Sequence, residues 1–281
     1  MNVLAASAIV LVSAAVAISG LLLVRRRAPD GGFYNDGDRA AGVFGVLATG
    51  FAVLLGLVVV LAFTSYDASR TGAETEAITV AQQFEVAKLL PDEPGARLAG
   101  ELTCYARSVV HEEWPRMRAG DATAETSPWG LSAFRTLRTI EPRTAAEQAA
   151  YAKWLDLRLD RETARNARIH GAVGVIPGPL WLVLAASAVM IVGFMMVFAD
   201  SGEPAVVQAT LIGSVVVVIV ATLLLIRFLD DPYRPGLGSL EPVAMERTLG
   251  VIDGYRRLDA DSGPLPCDAR GTLRADLPRM G

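Results

Sequence analysis

Four apolar segments, each about twenty residues or longer and free of Lys, Arg, Asp and Glu, restrict the fold of this chain most strongly. A helix rises about 1.5 Å per residue, so about twenty residues cross a hydrocarbon core of roughly 30 Å. Backbone polar groups find no water there, and only a helix bonds them within one segment. The sequence therefore predicts an all-α protein with four transmembrane helices in two hairpins, formed by residues 3–24 with 40–64 and 180–199 with 205–226.

The charged residues divide the rest of the chain. A helical soluble domain is predicted at residues 66–176, inserted between spans 2 and 3, with the hairpins in residues 1–65 and 177–228. Pro is absent from residues 66–90, so the second span is expected to continue as one long helix with a 3.6-residue period through Ile78, Ala81 and Phe84. Residues 229–281 form a C-terminal tail, and its end, from residue 259, is rich in Pro and Gly and is predicted to be disordered.

Composition and motifs exclude several functions. The net charge of -4 gives no reason to expect a nucleic-acid partner. The sequence contains no nucleophile elbow, phosphate-binding loop or Cys/His cluster, so we predict no enzyme, no catalytic residue, no cofactor and no metal site. His111, Glu112 and Glu113 are adjacent, but immediate neighbours on a helix do not face each other. They are more typical of a solvated helix end than of a metal site.

The second span carries the candidate site. Small residues recur at steps of three or four, which places them on one face of the helix. Such a stripe packs closely against another helix or lines a narrow pore. The candidate pore-lining or packing residues are Gly42, Gly45, Thr49, Ala52 and Gly56. The candidates for a constriction are Phe51, Leu55 and Phe63, and those for an anion-attracting vestibule are Arg161, Arg165 and Arg168.

Four stretches, in this order, resemble the bestrophin-like family of bacterial membrane proteins. They are GVLATGFAVLLGLVVV in the second span, YARSVVHEEWP in the soluble domain, PGPLWLVL at the third span and LLLIRFLDDPYRPGLGSLEPVAMER after the fourth. The resemblance extends from about Ala41 to Thr248. It implies kinship with bestrophins, which are pentameric anion channels, and hence a pore along the second span and a cytosolic helical domain. Asp230 and Asp231 alone are too few for a calcium site of six to eight oxygens.

The leading hypothesis is an oligomeric ion channel that passes chloride or other small anions. The alternative is a non-conducting, membrane-anchored sensor or scaffold whose helical domain binds a partner. In either case the expected partners are the lipid bilayer and further copies of the chain. We predict a bacterial cytoplasmic (inner) membrane protein with both termini and residues 66–176 in the cytoplasm, although the arginines flanking the spans conflict.

The two cysteines bear on this orientation. Cys104 and Cys267 lie in segments that share one side of the membrane in any four-span topology. They can pair only if that side is oxidising. The sequence leaves open whether they pair, and two free thiols is the simpler expectation.

Overall fold

The computed structural model describes residues 3–29, 33, 36–121, 127–258 and 263–274. Within these ranges the secondary structure is helical, apart from an isolated antiparallel bridge between Cys267 and Leu273. The helices are α1 Val3–Arg25, α2 Gly37–Ala87, α3 Asp92–Ser108, α4 Trp114–Arg118, α5 Pro128–Leu137, α6 Ala145–His170, α7 Gly178–Val197, α8 Ala205–Asp230 and α9 Val243–Leu258; a π-helical segment, Val109–Glu113, joins α3 to α4.

The helices that can cross a membrane are those that the sequence predicts. By length and composition they are α1, α2, α7 and α8. The second of these continues without a break for 51 residues, which confirms the expected extension of the span into one long helix. The all-α class and the four candidate spans are therefore confirmed for the described residues.

The chain divides into two compact units, and α2 contributes to both. Unit 1 consists of residues 1–66, 174–231 and 235–238, and unit 2 of residues 67–173, 232–234 and 239–281. The C-terminal tail is thus largely part of the helical unit rather than a separate piece. Unit 2 combines the chain between the second and third candidate spans with the chain after the fourth.

In unit 1, apolar side chains pack the candidate spans together. Ala17 and Leu21 of α1 lie in one buried cluster with Ile212 and Val216 of α8. In a second cluster α2 meets α7 and α8; its buried members are Phe51, Val58, Leu184, Ala188, Ile191, Ile219 and Ile226. The helix α8 therefore packs against α1 in the first cluster and against α2 and α7 in the second.

Several polar side chains of unit 1 form hydrogen bonds near the helix ends. At the end of α1, Arg25 donates from Nε to the carbonyl oxygen of Asp200, 3.1 Å away, in the turn between α7 and α8. Gln208 donates to the same carbonyl at 2.9 Å. Gln208, near the start of α8, is therefore hydrogen-bonded through its amide nitrogen. At the end of α8, Asp230 Oδ1 accepts the backbone N–H groups of Val175 and Ile176 at 2.7 and 3.0 Å.

Unit 2 is built around α3, which packs against α5 and α9. Two helices in this unit begin at typical N-cap sequences: Ser127 directly before Pro128, and Thr144 three residues before Glu147. Ser127 accepts a hydrogen bond from the N–H of Gly130, and Thr144 accepts one from the N–H of Glu147 at 3.1 Å. A side-chain oxygen at this position satisfies one of the four N–H groups that the first turn leaves without a partner.

The chain end departs from expectation. Residues 263–274, predicted to be disordered, lie against α3 and are joined to it by a disulfide between Cys104 and Cys267. Trp129 also donates to the carbonyl oxygen of Gly271 at 2.6 Å. The composition suggested disorder because the segment has few apolar side chains that could form a core. A covalent bond and hydrogen bonds to its backbone fix the segment against α3 without such a core. Residues 259–262 and 275–281, which belong to the same prediction, lie outside the described residues.

The contact between α2 and α6 generates a stability prediction. A Cβ at Gly72 would lie 2.8 Å from the backbone of Ala164 and of Arg168, whereas a Cβ at Gly250 in α9 would meet nothing within 4 Å. Gly250→Ala should raise the free energy of unfolding by about 0.5–1 kcal/mol because Ala favours helix. Gly72→Ala should lower it by about 1–3 kcal/mol because backbone cannot move aside cheaply. Thermal unfolding in detergent measures both; equal shifts of the same sign would contradict the close approach of α2 to α6.

Candidate functional site

The small-residue stripe lies on an open face of α2. All five of its residues are exposed within the subunit. A Cβ built at Gly42, Gly45 or Gly56 would meet no atom within 4 Å. The stripe therefore does not pack against another helix of the same subunit. An exposed face of small residues, in a helix of membrane-spanning length, is available to another copy, to lipid or to a pore.

Two of the three constriction candidates on the same span lie on the side that packs against α7 and α8, not on the open face. Phe51 is buried in the cluster with α7 and α8, and Leu55 is partly buried against that cluster. Phe63 is different, because its exposed fraction is 54%. It follows Gly56 by seven residues, or about two helical turns, and so lies on the side of the stripe. Of the three constriction candidates, Phe63 alone shares the open face, and Phe51 packs α2 inside the subunit.

The vestibule expected from Arg161, Arg165 and Arg168 is not formed by these side chains. Their exposed fractions are 0%, 5% and 0%. The prediction assumed that charged residues on the last turns of a helix face solvent. The three arginines, however, are spaced by four and three residues, so they lie on the same face of α6, and that face is buried. The structure therefore corrects this interpretation: the three guanidinium groups lie inside unit 2 and bind side chains of the same unit.

Arg168 is the centre of that buried network. Its Nε and Nη2 atoms donate to the two carboxylate oxygens of Glu76, the Nη2–Oε1 distance being 3.0 Å. Nη2 also donates to Glu113 at 2.6 Å, and the other oxygen of Glu113 accepts from Arg165 at 3.1 Å. Tyr105 donates to Glu76 at 2.6 Å. Two carboxylates thus balance two guanidinium groups, and a network balanced in this way offers little charge to an anion outside.

The remaining arginine joins the same interior. Arg161 donates to Gln83 at 3.0 Å and to Glu162 at 2.9 Å, and its guanidinium group lies over the ring of Tyr105 at 4.7 Å from the centroid. Stacking on an aromatic ring is favourable for a guanidinium that has left water. Tyr233 closes the network by donating to the carbonyl oxygen of Arg168 at 2.7 Å.

The π-helical segment presents Glu113 to this network. A π-helical turn inserts one residue into the helix and re-aims the side chains that follow. Burial raises the pKa of Glu113, but the charges of Arg168 and Arg165 lower it below its ordinary value overall. The sequence reading of a solvated end is therefore wrong for Glu113, while His111 is exposed.

Sequence reasoning also missed Glu76 and Gln83. It assigned the inner face of the soluble part of α2 to Ile78, Ala81 and Phe84. Phe84 is buried, with an exposed fraction of 2%, but Ile78 is 58% exposed. The face that is buried carries Gly72, Glu76 and Gln83, at steps of four and seven. Polar residues at helical spacing on α2, together with arginines at helical spacing on α6, could have indicated a buried polar contact between the two helices.

Another buried carboxylate, that of Glu101, lies apart from the arginine network. Glu101, on α3, accepts hydrogen bonds from Ser132 at 2.6 Å and Thr136 at 3.0 Å, both on α5. Arg97 reaches it at 3.6 Å from the exposed side. Burial raises the pKa of Glu101, and these hydrogen bonds and the arginine charge offset the rise only in part.

Comparison with known proteins identifies related sequences and folds. The model of a bestrophin-like domain matches residues 11–243. A crystal structure of a bacterial bestrophin homologue from Klebsiella pneumoniae, solved by Zn-SAD phasing, is 17% identical, with a TM-score of 0.64 over 90% of this chain and 99% of that chain. A single-site variant of that homologue is 15% identical, with a TM-score of 0.67 over 88% and 97%. These identities establish a likeness of fold alone, and no curated protein matches the chain.

The central ion pair can be tested by neutralising one partner. Glu76→Gln should lower the free energy of unfolding by about 3–5 kcal/mol, because Arg168 keeps its charge in a fully buried site and loses its main partner. Glu74→Gln is the matched control, two residues away on α2, where the carboxylate and its partner Arg70 are 55% and 60% exposed. That control should change stability by less than about 1 kcal/mol. The double variant Glu76→Gln/Arg168→Met should recover part of the loss; an effect no larger than that of the control would contradict the network.

Glu101 predicts a pH dependence of stability. Its folded pKa lies above its unfolded value of about 4.3, so the folded state binds the proton more tightly. This contribution is fully present below the unfolded pKa and is lost as pH rises through the raised folded pKa. Relative to wild type, Glu101→Gln should therefore become progressively more stable as pH rises above about 4.3 and then level off. Unfolding from pH 3 to 8 measures the difference, with Glu246→Gln as an exposed control; a difference that decreases with pH would refute the assignment.

Proposed function

Since the chain belongs to the bestrophin-like family, we propose that it is an oligomeric ion channel that passes chloride or other small anions across a bacterial cytoplasmic membrane. Bestrophins are anion channels, and the solved homologues share this fold over nearly their whole length. The proposal assigns the chain no enzymatic activity. Its four candidate spans would run as two hairpins, with the helical unit inserted between the second and third.

The open face of α2 carries the proposal. Its bulky side packs on α7 and α8, while Gly42, Gly45, Thr49, Ala52 and Gly56 face away from the rest of the subunit. In a ring of copies with α2 innermost, these residues would line a narrow passage, and Phe63 would narrow it near one end. Rings of apolar side chains gate by excluding water from a constriction.

Lipid would cover other faces of the candidate spans. Large apolar side chains are exposed on α1, α7 and α8, among them Leu11, Leu182 and Val189. A face of this kind is stable against hydrocarbon and unstable in water. The bilayer would therefore surround the outer helices.

Anion attraction needs a source other than Arg161, Arg165 and Arg168, because these are paired within unit 2. In a passage lined by small side chains, backbone dipoles and Thr49 are the polar groups nearest the axis. The orientation predicted from the sequence, with both termini and residues 66–176 in the cytoplasm, stays a prediction, and the disulfide argues against it.

Thiol modification in reconstituted bilayers tests the pore assignment. The protein should conduct chloride in symmetric solutions, and a charged thiol reagent should remove most of the current of Thr49→Cys, because a charge in a narrow passage blocks it. Val189→Cys, which is 73% exposed on α7, should retain its current after the same treatment. The natural cysteines are paired with each other and leave the introduced thiol as the reactive group.

Two results would refute the channel. One is the absence of chloride conductance in bilayers that contain properly inserted protein. The other is a particle mass in lipid nanodiscs that corresponds to a single 29.8 kDa chain, because one subunit cannot enclose a passage along one face of α2. Such a monomer would favour the membrane-anchored sensor or scaffold.

A further inference from the structure

The strongest unassigned feature is the disulfide of unit 2. Cys104 lies on α3 and Cys267 in the segment 263–274, which we name the C-terminal clasp. The exposed fractions of the two residues are 0% and 1%, and 163 positions of sequence separate them. Their Cα atoms are 5.8 Å apart, in the usual range for a bonded pair.

Noncovalent contacts bring the clasp to the bonding position. Asp268 accepts the N–H groups of Arg270 and Thr272 through one oxygen, at 2.8 and 2.9 Å, and so fixes a turn just after Cys267. Gly271 continues the turn with φ 85°, and a side chain there would collide with the backbone of Ser108. The segment is thus shaped to place one sulfur against α3, and the bond does not rest on chance proximity.

Disulfide formation requires an oxidant. The two thiols lose two protons and two electrons as the S–S bond forms, and the electrons reduce the disulfide of a thiol oxidoreductase to two thiols. Such oxidants keep protein thiols paired outside the cytoplasm, whereas glutathione and thioredoxin keep them reduced inside. A buried pair with no exposed sulfur is a structural bond rather than an exchanging one. It therefore reports the compartment in which unit 2 folds.

We infer that unit 2 lies on the oxidising, outer face of the membrane, where the disulfide fastens the C-terminal clasp to α3. With four crossings, unit 2 and both termini share that side, while the first loop and the turn between α7 and α8 lie in the cytoplasm. This orientation is opposite to the one expected from the sequence and implied by the resemblance to bestrophins. The channel proposal does not depend on it, because the open face of α2 is the same in both orientations.

The short first loop supports this orientation independently. Arg25, Arg26, Arg27 and Arg39 lie in or beside it, and basic residues in short loops hold them in the cytoplasm. The arginines of the long domain favoured the opposite arrangement, but long domains cross the membrane largely regardless of charge. Arg227 at the end of the fourth span and the basic residues of the C-terminal tail also favour it, so the labelling experiment below decides between the two arrangements.

The redox state is measured in cells that express the full chain. Cells are quenched in acid, denatured with N-ethylmaleimide to block free thiols, then reduced and treated with a polyethylene-glycol maleimide. The expected result is addition of two polymer chains after reduction and none without it. Variants Cys104→Ser and Cys267→Ser should each lose the signal. Thiols already blocked in the wild-type protein would overturn the inference.

Orientation is measured separately on two matched variants of the otherwise natural chain. Glu141 is exposed between α5 and α6, and Glu203 is exposed in the turn between α7 and α8. A membrane-impermeant maleimide added to spheroplasts should label Glu141→Cys, and should label Glu203→Cys only after detergent. The reverse pattern would overturn the inference. Neither readout depends on conduction, so a failure here and a failure of the channel proposal can be told apart.

Discussion

The helix α2 passes without a break from a segment of membrane-spanning composition into a polar segment that belongs to unit 2. Over its first part the hydrogen-bonding groups of the main chain must be closed within the helix, because hydrocarbon offers them no partner. Over its second part the helix runs through unit 2, where its inner face carries Glu76 and Gln83. Other elements are arranged on this helix: α7 and α8 pack on its bulky apolar side, and α6 supplies the arginines that neutralise its buried carboxylate.

Burying charge in unit 2 has consequences for the proposed passage. Two carboxylates and two guanidinium groups satisfy one another there, and removal of one partner would leave an uncompensated charge. Arginine side chains paired in this way contribute little net charge that could attract an ion from outside the unit. The proposed conduction therefore depends on the open, small-residue face of α2. The disulfide, by our inference, indicates that unit 2 folds outside the cytoplasm.

Some residues revealed their structural role in the sequence, and others did not. The four spans, the long helix and the caps at Ser127 and Thr144 were predictable, because each depends on neighbours within a few positions. The buried arginines were not, since Arg161 and Arg168 are charged in any local window and become interior only when Glu76 arrives from a different helix. The C-terminal clasp likewise looked disordered, because the bond that holds it joins positions 163 residues apart.

The sequence by itself determined that this is a helical membrane protein with four spans and a small-residue stripe on the second. Length, absence of charge and helical spacing are local properties, and water and hydrocarbon act on them directly. Tertiary structure alone decided which face of α2 is open, which arginines are neutralised and whether Cys104 meets Cys267. Those outcomes depend on groups distant in sequence, whose pairing energy exists only when the helices that carry them are packed together.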